Sequence, residues 1–247
     1  MQEECRKELY YTIAEDIFIR FPGYVRGVVL AYGVTNGESP GEVVSLLREA
    51  EASIHAKLKL ETIAEHPRIK SWREAYRSFG ARPAEFRSSI EAMARRALRN
   101  DPLPSINALV DIGNAVSLRN LVPTGGHAID VVNQDISLRL AKGDEVFTPF
   151  GSEGIESPLP GEIIFTEGNT VLTRRWTWRQ ANHTLTLPTT KDIEFNVDGL
   201  PPIPAAEVEE ICGQVMDLVR RFCGGRTRTE ILTRENPRMK LTEEKTI

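Results

Sequence analysis

The residue types that could bind or activate a substrate are concentrated in one predicted helix and the segment after it. The helix is predicted to begin at Ser105, a good N-cap residue, and to carry Asn107, Asp111 and Asn114 on one side, at intervals of four and three residues. Apolar residues fill most of the remaining helix surface. Amides and a carboxylate amid so much apolar surface need hydrogen-bond partners, so this polar stripe predicts contact with a neighbouring loop or a cavity.

A histidine follows the helix directly after a pair of glycines. Thr124, Gly125 and Gly126 predict a flexible turn at which the backbone can approach a ligand closely. His127 is then expected at the start of a strand, with Ile129 on the same face. Spacing leaves two interpretations open: a core helix followed by a turn and an edge histidine, or a site that combines an imidazole with amides.

A second stretch rich in arginine and tryptophan lies further along the chain. In a predicted strand, Arg174, Trp176, Trp178 and Gln180 share one face. Such a face could stack on an aromatic ring and bind a phosphate. The alternative is a tryptophan pair packed inside a sheet sandwich, with arginine head groups reaching to solvent. We favour a mixture, in which one tryptophan belongs to the core and one lines a pocket.

The first of these regions carries a family resemblance. The segments Ile106–Val116 and His127–Asp130 resemble the editing module, domains three and four, of the beta subunit of bacterial phenylalanyl-tRNA synthetase. That family shows a Val-Asp-Ile/Val-x-Asn helix core and then a His-Ala-x-Asp strand. The resemblance extends over roughly residues 18–204 and implies a freestanding editing module. The implied fold class is α+β, with a helix-rich N-terminal half packed on a β-rich C-terminal half.

The resemblance also implies a function, the hydrolysis of misacylated aminoacyl-tRNA in trans, with the aminoacylated 3′ end of tRNA as partner. The ester is already activated, so a held water and one base or acceptor would suffice without a cofactor. By this resemblance His127 would position or deprotonate the water. Asn114 and Asn196 would hold the amino acid or the terminal ribose. Backbone amides at Gly125 and Gly126 would approach the substrate carbonyl.

Two departures from the family affect the expected specificity. Asn196 occupies the position at which the synthetase module places a glutamate that helps to recognise the tyrosine hydroxyl. The stretch with Trp176 and Trp178 replaces a strand end that is glycine-rich in the family. Tyrosine is therefore not the expected substrate side chain, and the size of the pocket is not fixed by the resemblance.

Two other classes of function remain open from the sequence. The protein could bind tRNA or another RNA without hydrolysing it, or bind a free amino acid as a sensor or scavenger. Residues 66–99 contain nine Lys or Arg and three Glu, which is typical either of a phosphate-facing surface or of a solvated helix face.

Composition sets further bounds on the 247-residue chain. A net charge of −4 gives no overall basic signature, and we expect no DNA partner. No apolar run is long enough for a membrane span, and the charged N-terminus is unlike a secretion signal. Cys5, Cys212 and Cys223 lack metal-site spacing and suit a reduced cytoplasm. Neither the dispersed histidines nor any motif predicts a metal or cofactor.

The elements that must position these residues follow from periodicity and turn signals. Strands are predicted at Ile13–Ile19 and Val25–Tyr32, and a hairpin at residues 162–180 across Glu167-Gly168-Asn169. Ser39 is expected to cap a helix over residues 40–64. Helical spacing of apolar residues predicts two more helices in residues 67–99 and one from Ala205 to Phe222.

These elements suggest a division of the chain into three parts. Residues 1–204 would form the synthetase-editing-like domain, and residues 205–225 a C-terminal packing helix. Residues 226–247 would form a polar tail, frayed except for one short strand near residues 229–233.

Overall fold

Two β-sheets and six α-helices make up the part of the chain that the computed structural model describes, residues 8–242. The fold is α+β, as predicted. The strands are β1 (Tyr10–Ile13), β2 (Val25–Tyr32), β3 (Thr124–Ala128), β4 (Ile136–Leu140), β5 (Ile163–Glu167), β6 (Thr170–Arg174), β7 (Arg179–Gln180), β8 (Asp192–Gly199), β9 (Arg226–Leu232) and β10 (Arg238–Lys240). The helices are α1 (Glu15–Arg20), α2 (Gly41–Lys57), α3 (Pro67–Ser78), α4 (Ser89–Leu98), α5 (Ala108–Asn120) and α6 (Ala205–Phe222), with a 3₁₀ turn at Ile63–Glu65.

The smaller sheet carries the site and has the strand order β3-β8-β2-β9, all antiparallel. Alternation along its central strands divides the residues between two faces. On β8, Phe195 and Val197 pack with α5 and α6, whereas Asn196 and Asp198 point to the opposite face. Because β3 is an edge strand, one of its sides is not paired with another strand of this sheet.

The larger sheet has the order β10-β1-β4-β5-β6-β7. It packs against the face of the smaller sheet from which Asn196 and Asp198 project. Only the β1–β4 pair is parallel. Buried side chains from both sheets, such as Leu30 on β2 and Phe165 on β5, form the main core together with residues of α1 to α4. The functional strands are therefore held between two packed layers.

Several predicted boundaries were wrong. The segment predicted as a strand at Ile13–Ile19 contains only the last residue of β1, Ile13, and then most of α1, in which the adjacent residues Ile17 and Phe18 are both buried instead of alternating as in a strand. Helix α2 ends at Lys57 instead of residue 64. Ser39 does not cap α2. Its hydroxyl donates to Asp111 Oδ2 at 2.6 Å.

The C-terminal segment predicted as a polar tail with one short strand near residues 229–233 supplies two paired strands, the first of which, β9, includes most of that predicted strand. Strand β9 pairs over its whole length with β2, from Arg26↔Leu232 to Tyr32↔Arg226, and β10 pairs with β1. Their polar residues are half-buried because both strands lie at sheet edges. The prediction failed here because edge strands do not require the apolar alternation on which it relied. Residues 243–247, and Cys5 near the other end, lie outside the described residues.

No helix within residues 8–242 is long and apolar enough to cross a membrane.

Candidate functional site

A cavity of about 620 Å³ opens where the edge strand β3 meets α5, α4 and the larger sheet. Its polar lining includes His127, Asn114 and Asn196, which the sequence analysis singled out, together with Gly125 and Gly126. These residues come from the consecutive elements α5 and β3 and from β8, which lies more than sixty residues further along the chain. The structure therefore brings the predicted imidazole and both predicted amides to one cavity.

His127 lies near the end of β3, opposite Glu194 of β8, and not at a strand start as predicted. Its ring is held from both sides by hydroxyl groups. Nδ1 lies 2.7 Å from Thr184 Oγ1, and Nε2 lies 3.1 Å from Thr173 Oγ1. The ring also meets Phe165 edge to face, with centroids 5.1 Å apart. The imidazole is thus rigidly positioned at the cavity wall.

The electrostatic surroundings keep this imidazole neutral. Burial, followed by the positive charge of Arg26, lowers the pKa of His127 from 6.5 to about 3. A ring that is neutral and bonded at both nitrogens is a poor general base near neutral pH. Its geometry suits the orientation of other groups.

Asn196 belongs to a buried polar network beneath the cavity. Its Oδ1 accepts a hydrogen bond of 2.5 Å from the Tyr11 hydroxyl, and its Nδ2 donates to Glu194 Oε1 at 3.0 Å. In the same network, Arg26 binds both oxygens of Asp198, at 2.7 and 3.0 Å. Both amide atoms of Asn196 are therefore engaged by the protein.

Glu194, the neighbour of Asn196 on the same face, was not singled out from the sequence. Burial raises the pKa of this carboxyl to about 8, against the lowering effect of Arg26. Its Oε2 is buried without a hydrogen-bond partner in the described part of the chain. Asn196 was assigned to the position at which the family has a glutamate. Glu194, two residues away on the same side of β8, supplies a carboxyl that remains protonated near neutral pH.

The three residues predicted to form a polar stripe on α5 have different contacts. Asp111 is fully buried and accepts hydrogen bonds from the hydroxyls of Ser39 and Ser105, so it bonds neighbouring loops. Asn107 proved to be the N-cap of α5, in place of Ser105, and its Oδ1 accepts from Val110 N at 3.1 Å. Asn114 alone faces the cavity, and the described residues offer its side chain no hydrogen-bond partner.

Gly125 and Gly126 lie within strand β3, and not in the flexible turn that was predicted. A Cβ on Gly126 would approach Ile193 Cδ1 to 3.0 Å and Phe195 Cε1 to 3.2 Å, so any side chain there would crowd both apolar residues. A Cβ on Gly125 would meet nothing within 4 Å. The glycines leave the edge of the sheet bare, so the cavity reaches both faces of β3 at this point.

The arginine and tryptophan stretch is a tight hairpin and not one strand. The chain leaves β6 after Arg174, turns through residues 175–178 and returns as β7. Arg175 and Trp176 both have positive φ, 46° and 65°, which reverses the direction of the chain. The residues from Arg174 to Gln180 therefore do not alternate along one face as predicted.

The two tryptophans have different surroundings. Trp176 is buried among Phe21, Tyr24 and Trp72, with ring centroids 4.8 to 5.0 Å away, and also borders the cavity. Trp178 is half-buried and lines the cavity, with the Arg175 guanidinium 4.5 Å from its ring. Neither fills the cavity.

Arg174 is not brought to the cavity. Its guanidinium is bound by Glu162 at 2.8 and 2.9 Å and by Glu156 at 2.7 Å. It serves a buried ion-pair network below the hairpin, so the predicted role in phosphate binding has no geometric support.

Several arginines on and beside the basic helices α3 and α4 also form ion pairs within the protein. Glu91 is fully buried, and its Oε1 accepts from Arg73 at 2.7 Å and Arg95 at 2.9 Å, with Arg87 3.9 Å away. Three guanidinium groups around one carboxylate leave a net positive cluster on this side of α4. The same helix reaches the cavity through Ser89 and Met93.

Among the polar residues that line the cavity, Thr173 was not singled out from the sequence, and Thr124 and Gln180 were named there without a contact to His127. Thr173 and Gln180 contact the His127 ring, and the buried hydroxyl of Thr124 has no partner among the described residues. Threonine and glutamine in strands are too common to stand out in a sequence. Only their pairing register places them beside the imidazole.

No group of three or more His, Cys, Asp or Glu side chains between residues 8 and 242 is arranged to hold a metal ion.

Comparison with known proteins identifies a family for most of the chain. Residues 71–228 match the family model of the B3/4 domain. Among the matching solved structures is an N-terminal fragment of the phenylalanyl-tRNA synthetase beta-subunit from Pyrococcus horikoshii, at 11% identity and a TM-score of 0.45. The alignment covers 92% of this chain and 52% of that fragment, so the chain spans about half of the fragment's length. No curated protein matches the chain.

Proposed function

Because the chain belongs to the B3/4 domain family, whose domain is found in the phenylalanyl-tRNA synthetase beta subunit, we propose that it binds the aminoacylated 3′ end of tRNA and hydrolyses misacylated esters in trans. One observation carries the proposal. The imidazole of His127 and the free amide of Asn114 meet in a cavity of about 620 Å³, which is a typical volume for a small-molecule site.

The proposed reaction needs no cofactor. A water oxygen bonds to the ester carbonyl carbon, and the bond between that carbon and the ribose oxygen breaks. One proton of the water ends on the ribose oxygen, and the amino acid leaves as a carboxylate after losing the other proton to solvent. Because the ester is already activated, binding the water and the ester together in one cavity supplies much of the rate enhancement.

The residues of the cavity have separate parts in this proposal. Asn114 presents an amide without a protein partner and would hold the amino group or a ribose hydroxyl. Gly125 lets substrate approach the β3 backbone, where no side chain stands in the way. His127 acts as a positioning residue, because its ring is neutral and bonded at both nitrogens.

The cavity wall favours a large apolar amino acid. Phe165, Trp176 and Leu109 contribute apolar surface. Both oxygens of the Asp198 carboxylate are already engaged, by Arg26 and by the Tyr24 hydroxyl at 2.5 Å. A phenolic hydroxyl directed at this apolar wall would lose its bonds to water there, at a cost of about 1–3 kcal/mol.

A deacylation screen tests the proposal. Purified protein is incubated with a panel of tRNAs mischarged with different amino acids, and release of free amino acid is followed over time. We expect fastest release for large apolar side chains and a drop of at least about tenfold for His127→Ala. Asn133→Ala, on an exposed turn outside the cavity, serves as the control. Failure to cleave any member of the panel would refute hydrolysis.

Binding without hydrolysis is the second candidate. It is favoured by one observation, that no side chain at the cavity is evidently poised as a general base, since His127 is saturated. In that case tRNA should be retarded in a gel-shift assay with a steep salt dependence and without ester cleavage. A free amino acid as the ligand would instead raise the melting temperature in a screen of the twenty amino acids.

A further inference from the structure

The contacts of His127 point to a neighbouring hydroxyl as the group that meets the substrate. We propose that Thr173 donates a hydrogen bond to the ester carbonyl oxygen, and that His127 acts through Thr173 by fixing the direction of that hydroxyl. This inference rests on the proposed function. It assigns a catalytic role to a residue of β6 and a positioning role to the imidazole.

The argument begins with Gln180, because its amide orientation determines the tautomer of the imidazole. Gln180 Nε2 lies 3.1 Å from two backbone carbonyl oxygens, those of Gly126 and Thr184. Carbonyl oxygens only accept, so the atom facing them is the NH₂ nitrogen and not the amide oxygen. The same nitrogen lies 3.3 Å from His127 Nδ1.

A donor nitrogen beside Nδ1 disfavours a hydrogen on Nδ1. If Nδ1 carried its proton, two N–H groups would face each other at 3.3 Å in a buried site. Nδ1 is therefore the acceptor of the neutral ring and receives the Thr184 hydroxyl at 2.7 Å. The proton of the imidazole is left on Nε2.

The Nε2 proton then sets the direction of Thr173. Nε2–H donates to Thr173 Oγ1 at 3.1 Å, which occupies one lone pair of that oxygen. The described residues offer the Thr173 hydroxyl no other hydrogen-bond partner, and the side chain borders the cavity. Its own hydrogen is consequently turned away from the ring and is available to a ligand in the cavity.

A donor fixed in this way suits ester hydrolysis. As water adds to the carbonyl carbon, negative charge develops on the carbonyl oxygen, and a donor already in place stabilises it without reorganisation. The water proton passes to the leaving ribose oxygen, as in the overall reaction, and neither Thr173 nor His127 gains or loses a proton. Removal of one such donor typically lowers kcat by a factor of about 100 or more.

The first test is independent of activity. Nitrogen-15 NMR of the selectively labelled histidines should show a protonated Nε2 and an unprotonated Nδ1 for His127, unchanged between about pH 5 and 8. In Gln180→Glu, a carboxylate replaces the donor beside Nδ1, and the tautomer should move towards Nδ1–H. A protonated Nδ1 in the unsubstituted protein would overturn the inference.

The second test is kinetic and uses matched variants. Thr173→Val should lower kcat about 100-fold with little change in KM, whereas Thr173→Ser should retain activity within about threefold. Thr166→Val removes a buried hydroxyl from β5 that bonds Ser137 outside the cavity, and should leave kcat unchanged. Equal activity of Thr173→Val and the unsubstituted protein would refute the role of the hydroxyl.

A double variant tests whether the imidazole acts through the hydroxyl. If it does, His127→Ala should reduce kcat little further in the Thr173→Val background. Independent, multiplicative losses would overturn the positioning role. If the unsubstituted protein cleaves no mischarged tRNA, the proposed function fails, and NMR alone then decides whether the hydroxyl is oriented as inferred.

Discussion

The free energy of unfolding should be constant between about pH 4.5 and 6.5 and should fall at higher pH. This behaviour is expected from two buried titratable groups on adjacent strands, Glu194 and His127. Glu194 has its pKa raised from 4.5 to about 8 by burial. Between these values the unfolded chain has lost the proton that the folded protein keeps. The stabilisation is thus complete below pH 4.5 and is lost as the pH rises through about 8.

His127 acts in the opposite direction. Its pKa is lowered from 6.5 to about 3 by burial and by the Arg26 charge. Between these values the unfolded chain binds a proton that the folded protein excludes. Stability is therefore fully present above pH 6.5 and is lost as the pH falls towards 3. From pH 4.5 to 6.5 the slopes of the two groups cancel.

The magnitude follows from the size of the Glu194 shift. Each pKa unit corresponds to about 1.4 kcal/mol, so the full shift is worth about 5 kcal/mol, and about 3 kcal/mol is already lost at pH 7. Between pH 6.5 and 8 this group alone should lower the free energy of unfolding by about 2 kcal/mol. The groups that interact with it are Arg26, Asp198, Asn196 and Tyr11.

The assay is urea unfolding at half-unit intervals from pH 5 to 8.5, on the unsubstituted protein and on Glu194→Gln. The variant keeps an oxygen to accept from Asn196 Nδ2 but has no carboxyl to ionise. We expect its free energy of unfolding to remain level above pH 6.5, so that the gap between the two proteins widens to about 2 kcal/mol by pH 8. Glu209→Gln, on the exposed side of α6, serves as the control and should follow the unsubstituted protein.

Parallel curves for the unsubstituted protein and Glu194→Gln between pH 6.5 and 8 would refute this reasoning. That outcome would mean that Glu194 is already ionised in the folded protein. Arg26 would then stabilise the buried carboxylate more than burial opposes it, and the protonated state assigned to Glu194 would be wrong.

Two further predictions concern the strands around the cavity. Gly126→Ala should lower the melting temperature, because its Cβ would lie 3.0 Å from Ile193 Cδ1, at a cost of about 1–3 kcal/mol. The Cβ of Gly125→Ala would have open space, so this variant should keep the melting temperature of the unsubstituted protein. Equal melting temperatures of the two variants would contradict the prediction. Arg26→Met should destabilise the protein by about 3–5 kcal/mol in urea unfolding, since it leaves the Asp198 carboxylate buried and unpaired. Adding Asp198→Asn should recover part of that loss, and no recovery would argue against an unpaired charge as the cause.

The parts of the fold that local patterns determine were predicted well. Val25–Tyr32 was predicted as a strand with the bounds that β2 has, because half of its residues are β-branched or aromatic. The hairpin across Gly168-Asn169 was also confirmed, because turn residues and flanking strands carry that signal together. In both cases the information lies within about ten neighbouring residues.

What failed depended on partners distant in sequence. Ser105 was a plausible N-cap on its own, but its hydroxyl donates to Asp111, and Asn107 takes the capping role. The hairpin at residues 175–178 requires two bulky residues with positive φ, which no propensity favours. The turn is held by the burial of Trp176 between α3 and the Phe21–Tyr24 segment, a contact that only the assembled fold provides.

The cavity itself depends on the position of β3 at an edge of its sheet. His127 and Asn196 project from one face of that sheet, whereas Asn114 approaches from α5, which covers the other face. In a central strand, a neighbouring strand would separate these groups. At an edge that carries two glycines, one cavity can reach both sides, so a single ligand could contact the imidazole wall and the free amide together. The glycines therefore matter to the site through the side chains that they lack, and not through the flexible turn for which the sequence first suggested them.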